Sequence, residues 1–217
     1  MADYSARRTT MVDTQVRPSD VTKFPIIDAM LSVPRERFVP VALREAAYIG
    51  ENLELAPGRV ILEPRTLAKL LDALDIQPTE TVLDIGCGLG YSTAVLAKMA
   101  EFVVAVEDDA AIAEEAQTTL SETGVDNAAI MTGPLAEGSA KSGPYDVIIL
   151  QGAVEEVPAA ILSQLSEGGR IGCLMAEGAL GVVRIGHRRN GQINWRFAFN
   201  ANAPVLPGFA KKPAFAL

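Results

Sequence analysis

One stretch concentrates residues able to do chemistry: Val82-Leu83-Asp84-Ile85-Gly86-Cys87-Gly88-Leu89-Gly90-Tyr91. An apolar run enters three glycines at alternate positions, and a helical pattern follows. Glycine lets the backbone turn sharply and approach a ligand with no Cβ in the way. The opening amides of the next helix carry a partial positive charge. The spacing is G-x-G-x-G, not the dinucleotide G-x-G-x-x-G, and no G-K-[ST] is present to make a phosphate loop. Asp84 stands two positions before the first glycine, which suits a nucleoside with a charged amino-acid tail. Its carboxylate would meet the ligand ammonium directly or through water. Glu107 closes a second apolar run 21 positions after Gly86, where an acid meets ribose hydroxyls in such sheets. A carboxylate accepts both vicinal O–H groups. Asp108 is the alternative contact. On purely structural grounds the same residues make a tight turn and a solvated strand end. The order strand, glycines, helix, strand, acid favours the ligand.

The elements that must position these residues alternate in type. Strands are expected at Thr81–Ile85, Phe102–Val106, Ala128–Met131, Tyr145–Leu150 and Arg170–Met175. Helices are expected at Tyr91–Met99, Ala110–Thr123 and Pro158–Leu165, the last ended by Gly168-Gly169. This alternation predicts an α/β fold, a doubly wound, mostly parallel sheet. Gly181–His187 and Gln192–Phe199 flank Arg189-Asn190-Gly191, and Asn-Gly is a strong hairpin signal. An antiparallel C-terminal edge follows, with Pro204–Leu217 as loop and a short edge strand. The first 33 residues read as a polar arm, then a helix capped by Ser19 or Asp20 and stopped by Pro34. A short pattern spans Val41–Ala47, and Pro57-Gly58 makes a turn. From Pro64, Leu67, Leu70, Leu71 and Leu74 share one helix face. One domain is expected over 1–217. Residues 1–75 form an N-terminal helical cap with a substrate-side loop, 76–175 the ligand-binding core, and 176–217 the C-terminal hairpin and edge.

Composition narrows the class. The chain has 217 residues, 49% of them hydrophobic and 21% charged, with a net charge of −8. That balance suits a globular domain with a sizeable core and gives no basic footprint for nucleic acid. No apolar run approaches the ~18–20 residues of a membrane span, and the polar start MADYSARRTT has no signal core. Two cysteines, Cys87 and Cys173, make no disulfide framework, so a reducing cytoplasm is expected. The single histidine, His187, has no partner spacing for a metal, and none is expected. Cys87 reads as packing, since nothing basic lies beside it in sequence. His187-Arg188-Arg189 reads as a basic surface turn, and Glu114, Glu115 and Glu122 as a solvated face. Arg7 and Arg8 fit either a partner contact or a disordered arm.

The glycine loop resembles the S-adenosylmethionine site of class I methyltransferases, and further segments resemble the protein-L-isoaspartate O-methyltransferase family. Met30-Leu31-Ser32-Val33-Pro34-Arg35-Glu36-Arg37-Phe38-Val39-Pro40 is similar to that family's A-M-x-x-V-P-R-E-x-F-V-P. Ala47–Gly50 with Leu53-Glu54-Leu55 lies where its Y-x-D-x-P-L-P-I segment falls. Pro144–Ile149 resembles its P-Y-D-x-I strand, and Gln164–Arg170 its Q-L-x-x-G-G-R turn. The likeness covers roughly residues 11–175. It implies a Rossmann-like fold, S-adenosylmethionine as cofactor, and methylation of isoaspartyl carboxylates in damaged proteins. The donor-site residues it implies are Asp84, Gly86, Gly88, Gly90, Tyr91, Glu107 and Asp108, with Gly133 and Pro134 after the third strand.

Three loops depart from the family pattern. Its substrate-side G-Q-T-I-S-x-P is Gly58-Arg59-Val60-Ile61-Leu62-Glu63-Pro64 in this chain. Val60 and Leu62 replace the two hydroxyls, and neither can donate a hydrogen bond. Arg59 and Arg65 flank the change; either could hold an acceptor carboxylate through a guanidinium fork, or both are solvated. Tyr48 and Asn52 are weaker acceptor-side candidates. G-D-G becomes Gly133-Pro134-Leu135, so the acid for an adenine amino group is missing. T-A-A-A becomes Leu150-Gln151-Gly152-Ala153, where Gln151 takes a new polar role or is an exposed amide. The expected activity is isoaspartyl methylation. The alternatives are methyl transfer to a different acceptor, a small or apolar one, and a non-catalytic adaptor keeping the fold.

Overall fold

The computed structural model describes residues 3–177 and 180–211. The central sheet has the strand order β5-β4-β3-β6-β7-β8-β9. These strands are β3 (Thr81–Ile85), β4 (Phe102–Glu107), β5 (Ala128–Thr132), β6 (Tyr145–Val154), β7 (Leu165–Glu177), β8 (Leu180–Arg189) and β9 (Gln192–Asn200). Pairings from β5 through β7 are parallel; β7–β8 and β8–β9 are antiparallel. The doubly wound sheet with an antiparallel edge is as expected. The last turn places Asn190 and Gly191 both at positive φ, the geometry a two-residue hairpin of matching twist requires.

Successive residues of the central strands enter cores on opposite faces. Val82, Val103, Val147 and Ile149 join one core; Leu83, Ile85, Val104, Val106, Ile148 and Leu150 join the other. A strand buried on both faces reads as a continuous apolar run, which is why the period-2 signal is absent there. The first face is covered by α1 (Tyr4–Met11), α2 (Phe24–Ser32), α3 (Pro64–Leu74) and α4 (Tyr91–Ala97), which send Met11, Ile26, Met30, Leu67, Leu71, Val95 and Leu96 among others into that core. All four leucines expected on the α3 stripe are buried. Glu114, Glu115 and Glu122 are exposed on α5 (Ala110–Glu122), capped by Asp109, whose Oδ1 accepts from the Ala111 and Ile112 amides.

Several local expectations are corrected. The N-terminal arm is helical from Tyr4 and runs on through Val12–Val16, burying Met11, Val12 and Val16. Arg7 pairs with Glu45 at 2.9 Å, and Arg8 lies 4.0 Å from Glu36. Ser19 and Asp20 do not cap α2: Asp20, at φ 65°, ends the turn Arg17–Ser19, and Lys23 precedes the helix without a side-chain cap. The helix expected over Pro158–Leu165 shrinks to α6 (Ala159–Leu162), because Leu165 already begins β7. Gly168-Gly169 lies inside that strand. The Val41–Ala47 pattern is a tight 3₁₀ segment over Val41–Ala46, with Ala47 as its C-terminal cap. Part of the tail, residues 212–217, lies outside the described residues; Val205 makes a parallel bridge to Ala153.

A second sheet is small and peripheral. It pairs β1 (Leu53–Ala56) with β2 (Arg59–Ile61) in an antiparallel hairpin. Gly58, at φ 75°, makes its turn.

Candidate functional site

The chain runs from β3 outward to β5, then returns to β6 on the other side of β3. Such a reversal leaves a crevice at the carboxyl ends of the strands, where ligands bind in open α/β sheets. Gly86–Gly90 lies at that end of β3, and Gly86, Gly88 and Gly90 all have positive φ. Glu107 ends β4 beside it.

Asp84 is fully buried on β3. One carboxylate oxygen accepts from Ser92 Oγ at 2.7 Å and Thr93 Oγ1 at 2.8 Å; the other accepts from Gln151 Nε2 at 2.7 Å. Burial pushes its pKa up to about 6 against those hydrogen bonds, and the Glu107 charge adds to the rise. The expectation of an Asp84 carboxylate open to an ammonium is corrected: it braces the loop against α4 and β6. Gln151 is buried, so the exposed-amide alternative falls. Cys87 is buried and its thiol pushed well above the usual range, by burial first and then by Asp84 and Glu107, as packing requires.

Glu107 is also fully buried. It accepts two parallel bonds from Arg59, Nη1 to Oε1 at 2.7 Å and Nη2 to Oε2 at 2.6 Å, and one from the Gly88 amide at 2.8 Å. Arg59 Nη1 also reaches Asp108 Oδ1. Burial lowers the Arg59 pKa, but hydrogen bonding to Glu107 and the two carboxylate charges outweigh it and the net shift is upward. Neither reading made of Arg59 from sequence holds. It is not solvated, and it faces the acids of the central sheet rather than an acceptor. Arg65 is about two-fifths exposed, 3.8 Å from Glu63 and 5.9 Å from the Phe199 ring centroid. It does not line the cavity beside the loop.

That cavity is about 10 Å³, lined by Val60, Ile61, Leu62, Leu67, Gly86, Cys87, Tyr91, Ser92 and Gln151. The two positions that lack hydroxyls, Val60 and Leu62, therefore do meet the glycine loop. Gly133 donates its amide to the Glu107 carbonyl at 3.0 Å, and Pro134 is exposed beside it. Tyr48 points away, its hydroxyl on Glu36. Asn52 ties the hairpin to Glu63 N and Asn202 O, both at 2.8 Å. His187 is partly buried, its pKa lowered by burial and by Arg196, Arg189 and Arg170. A groove of about 650 Å³ between Phe24 and Lys98 contains none of these residues. Among the described residues no cluster of His, Cys, Asp or Glu could hold a metal.

Three residues escaped sequence reasoning. Arg35 is fully buried and has no carboxylate partner among the described residues. It donates to the carbonyls of Ala47 at 2.7 Å and Leu62 at 3.0 Å, and its guanidinium lies 4.6 Å from the Tyr91 ring centroid. Its Nη1 and the Tyr91 hydroxyl lack partners among the described residues. Leu55 and Leu206 close over the loop. A Cβ at Gly88 would lie 2.5 Å from Leu55 Cδ1, and one at Gly86 3.3 Å from Leu206 Cδ2 and 3.5 Å from Arg59 Nη2.

A doubly wound sheet with a glycine loop at its switch point and an acid ending the next strand defines the class: an α/β domain built to take a nucleoside. A profile of the protein-L-isoaspartate(D-aspartate) O-methyltransferase family matches residues 6–197. Curated relatives of that name include one from Koribacter versatilis, 35% identical over 79% of this chain and 77% of the relative. Another, from Herpetosiphon aurantiacus, is 34% identical over 94% of this chain and 90% of its own. A solved Plasmodium falciparum beta-aspartate methyltransferase structure, in complex with S-adenosyl-L-homocysteine, superposes with a TM-score of 0.79. It is 20% identical and covered over 95% of this chain and 99% of its own. This chain belongs to the protein-L-isoaspartate O-methyltransferase family, whose members are S-adenosylmethionine-dependent methyltransferases.

Glu107 and the three glycines of the loop lie together at the switch-point ends of β3 and β4. Both Glu107 oxygens accept from Arg59, so the carboxylate is not open to a ligand in this conformation.

Proposed function

We propose that this chain is an S-adenosylmethionine-dependent O-methyltransferase whose acceptor is the carboxylate of isoaspartyl residues in proteins or peptides. The observation that carries the reading is the placement of Gly86–Gly90 and Glu107 at the switch point, within a chain that matches the family over residues 6–197. The chemistry asked of the protein is modest. A carboxylate is already a nucleophile, so no general base is needed; orientation and exclusion of water are. Val60, Ile61 and Leu62 line the small cavity and exclude water. Arg35, buried behind Leu62 with one unpartnered nitrogen, adds positive charge on that side. Two buried free cysteines suit a reducing compartment such as the cytoplasm. Among the described residues no helix is long and apolar enough to cross a membrane.

The apolar wall favours a second reading, an acceptor with an apolar face, since a carboxylate there finds no hydroxyl partner. Both readings meet in one assay. The protein is incubated with radiolabelled S-adenosylmethionine and an isoaspartyl peptide, with the normal aspartyl peptide as control. Base-labile label well above the control supports isoaspartyl methylation. Label at the control level contradicts it and turns the search to apolar small molecules.

A further inference from the structure

We propose that Arg59 is an internal occupant of the donor pocket, a latch that takes the hydrogen-bonding positions of Glu107 and must leave before a nucleoside enters. This rests on the reading of the crevice as a methyl-donor site. The guanidinium presents two parallel N–H groups to the carboxylate, the same arrangement that vicinal ribose hydroxyls would offer. A third contact, to Asp108, covers the alternative acid as well. The arginine therefore satisfies both candidate ribose contacts at once.

The closure involves more than one side chain. Leu55 and Arg59 stand on the two strands of the same hairpin, paired only with each other. Leu55 Cδ1 lies directly over Gly88, 2.5 Å from where a Cβ would stand, and Arg59 Nη2 lies over Gly86. The hairpin is thus the lid, and the residues flanking its turn cover two of the glycines that a ligand backbone contact would need. Because β1–β2 makes no ladder with the central sheet, it can shift without breaking one. Asn52 and the Arg59–Glu107 pair are its polar ties to the rest of the fold. Donor binding and the arginine–carboxylate pair are then mutually exclusive, and the latch reduces apparent affinity by the fraction of molecules that are closed.

The test is calorimetric titration of S-adenosylhomocysteine into the full chain, comparing the native protein with Arg59→Gln and with Arg59→Met. Methionine keeps an apolar stem in the buried path should glutamine impair folding, and a cooperative thermal transition is required of each variant. The expected result is binding at least about ten-fold tighter in the variants, the size of a lost hydrogen bond to a charged group. Equal or weaker binding in the folded variants than in the native protein would overturn the latch while leaving the donor site intact. No binding by any of the three at millimolar ligand would overturn the donor-site reading and the latch with it.

Discussion

Arg59 and Glu107 lie side by side, nitrogen to oxygen at 2.7 and 2.6 Å, with Glu107 fully buried. The pair joins the peripheral hairpin to the end of β4, so the position of the hairpin and the opening of the crevice are one variable. A buried ion pair is weak evidence of stability in itself, because desolvation offsets the attraction; removing one partner is the costly event.

Glu107→Gln leaves the Arg59 cation with Asp108 alone. Urea unfolding is expected to show a loss of about 3 kcal/mol, the lower end for breaking a buried pair. The double variant Arg59→Met, Glu107→Gln is expected to lose clearly less than the sum of the single losses. Strict additivity would mean that the two side chains are not coupled.

Asp84 carries a pH dependence of known sign. Its folded pKa, about 6, stands above the ordinary aspartate value of 3.8. The folded state therefore holds the proton more tightly, and this group's contribution is full below the lower value. It declines as pH rises towards the upper one and stays lost above it. The decline amounts to about 3 kcal/mol at 1.36 kcal/mol per unit. Asp84→Asn is expected to be less sensitive than the native protein between about pH 4 and 6, as unfolding free energies across that range will show. Parallel profiles would contradict the shift.

Leu206 packs over Gly86, just after β3, and over Gly152 of β6. A Cβ at Gly152 would lie 2.7 Å from Leu206 Cγ and Cδ2. Gly152→Ala is expected to cost about 1–3 kcal/mol by overpacking, and Leu206→Ala about 2–5 kcal/mol by leaving a cavity. Combined, they are expected to cost less than their sum, because the smaller side chain makes room for the methyl. Thermal denaturation of the three variants checks this.

Val60→Thr with Leu62→Ser returns two hydroxyls to the wall of the cavity. In the Arg59→Gln background, transfer to an isoaspartyl peptide is expected to rise, by on the order of 10²-fold if orientation is what they supply. No rise in the label assay would mean that the acceptor is held elsewhere.

The sheet was legible because fully buried strands, glycine loops and an Asn-Gly turn each leave a local signature. The same holds for the α3 stripe. The site was legible only in part. Glu107 and the glycines stand where the pattern placed them, but Arg59 meets its acids across 48 residues of chain, and such a pairing has no periodic sign. Asp84 carried the motif's acid, yet its partners Ser92, Thr93 and Gln151 come from the next helix and a distant strand. Arg35 was visible within a motif but not as a buried cation. The α6 helix was overread because Gln164 spends its amide on Glu137 O and Ala160 O, closing the turn just before β7.

The most direct measurement is a crystal structure of the native protein grown with millimolar S-adenosylhomocysteine. The nucleoside is expected at the glycine loop, with Glu107 facing its ribose and Arg59 displaced with the hairpin. Arg59 still paired with Glu107, in crystals whose ligand is absent from the crevice or lies elsewhere, would contradict it.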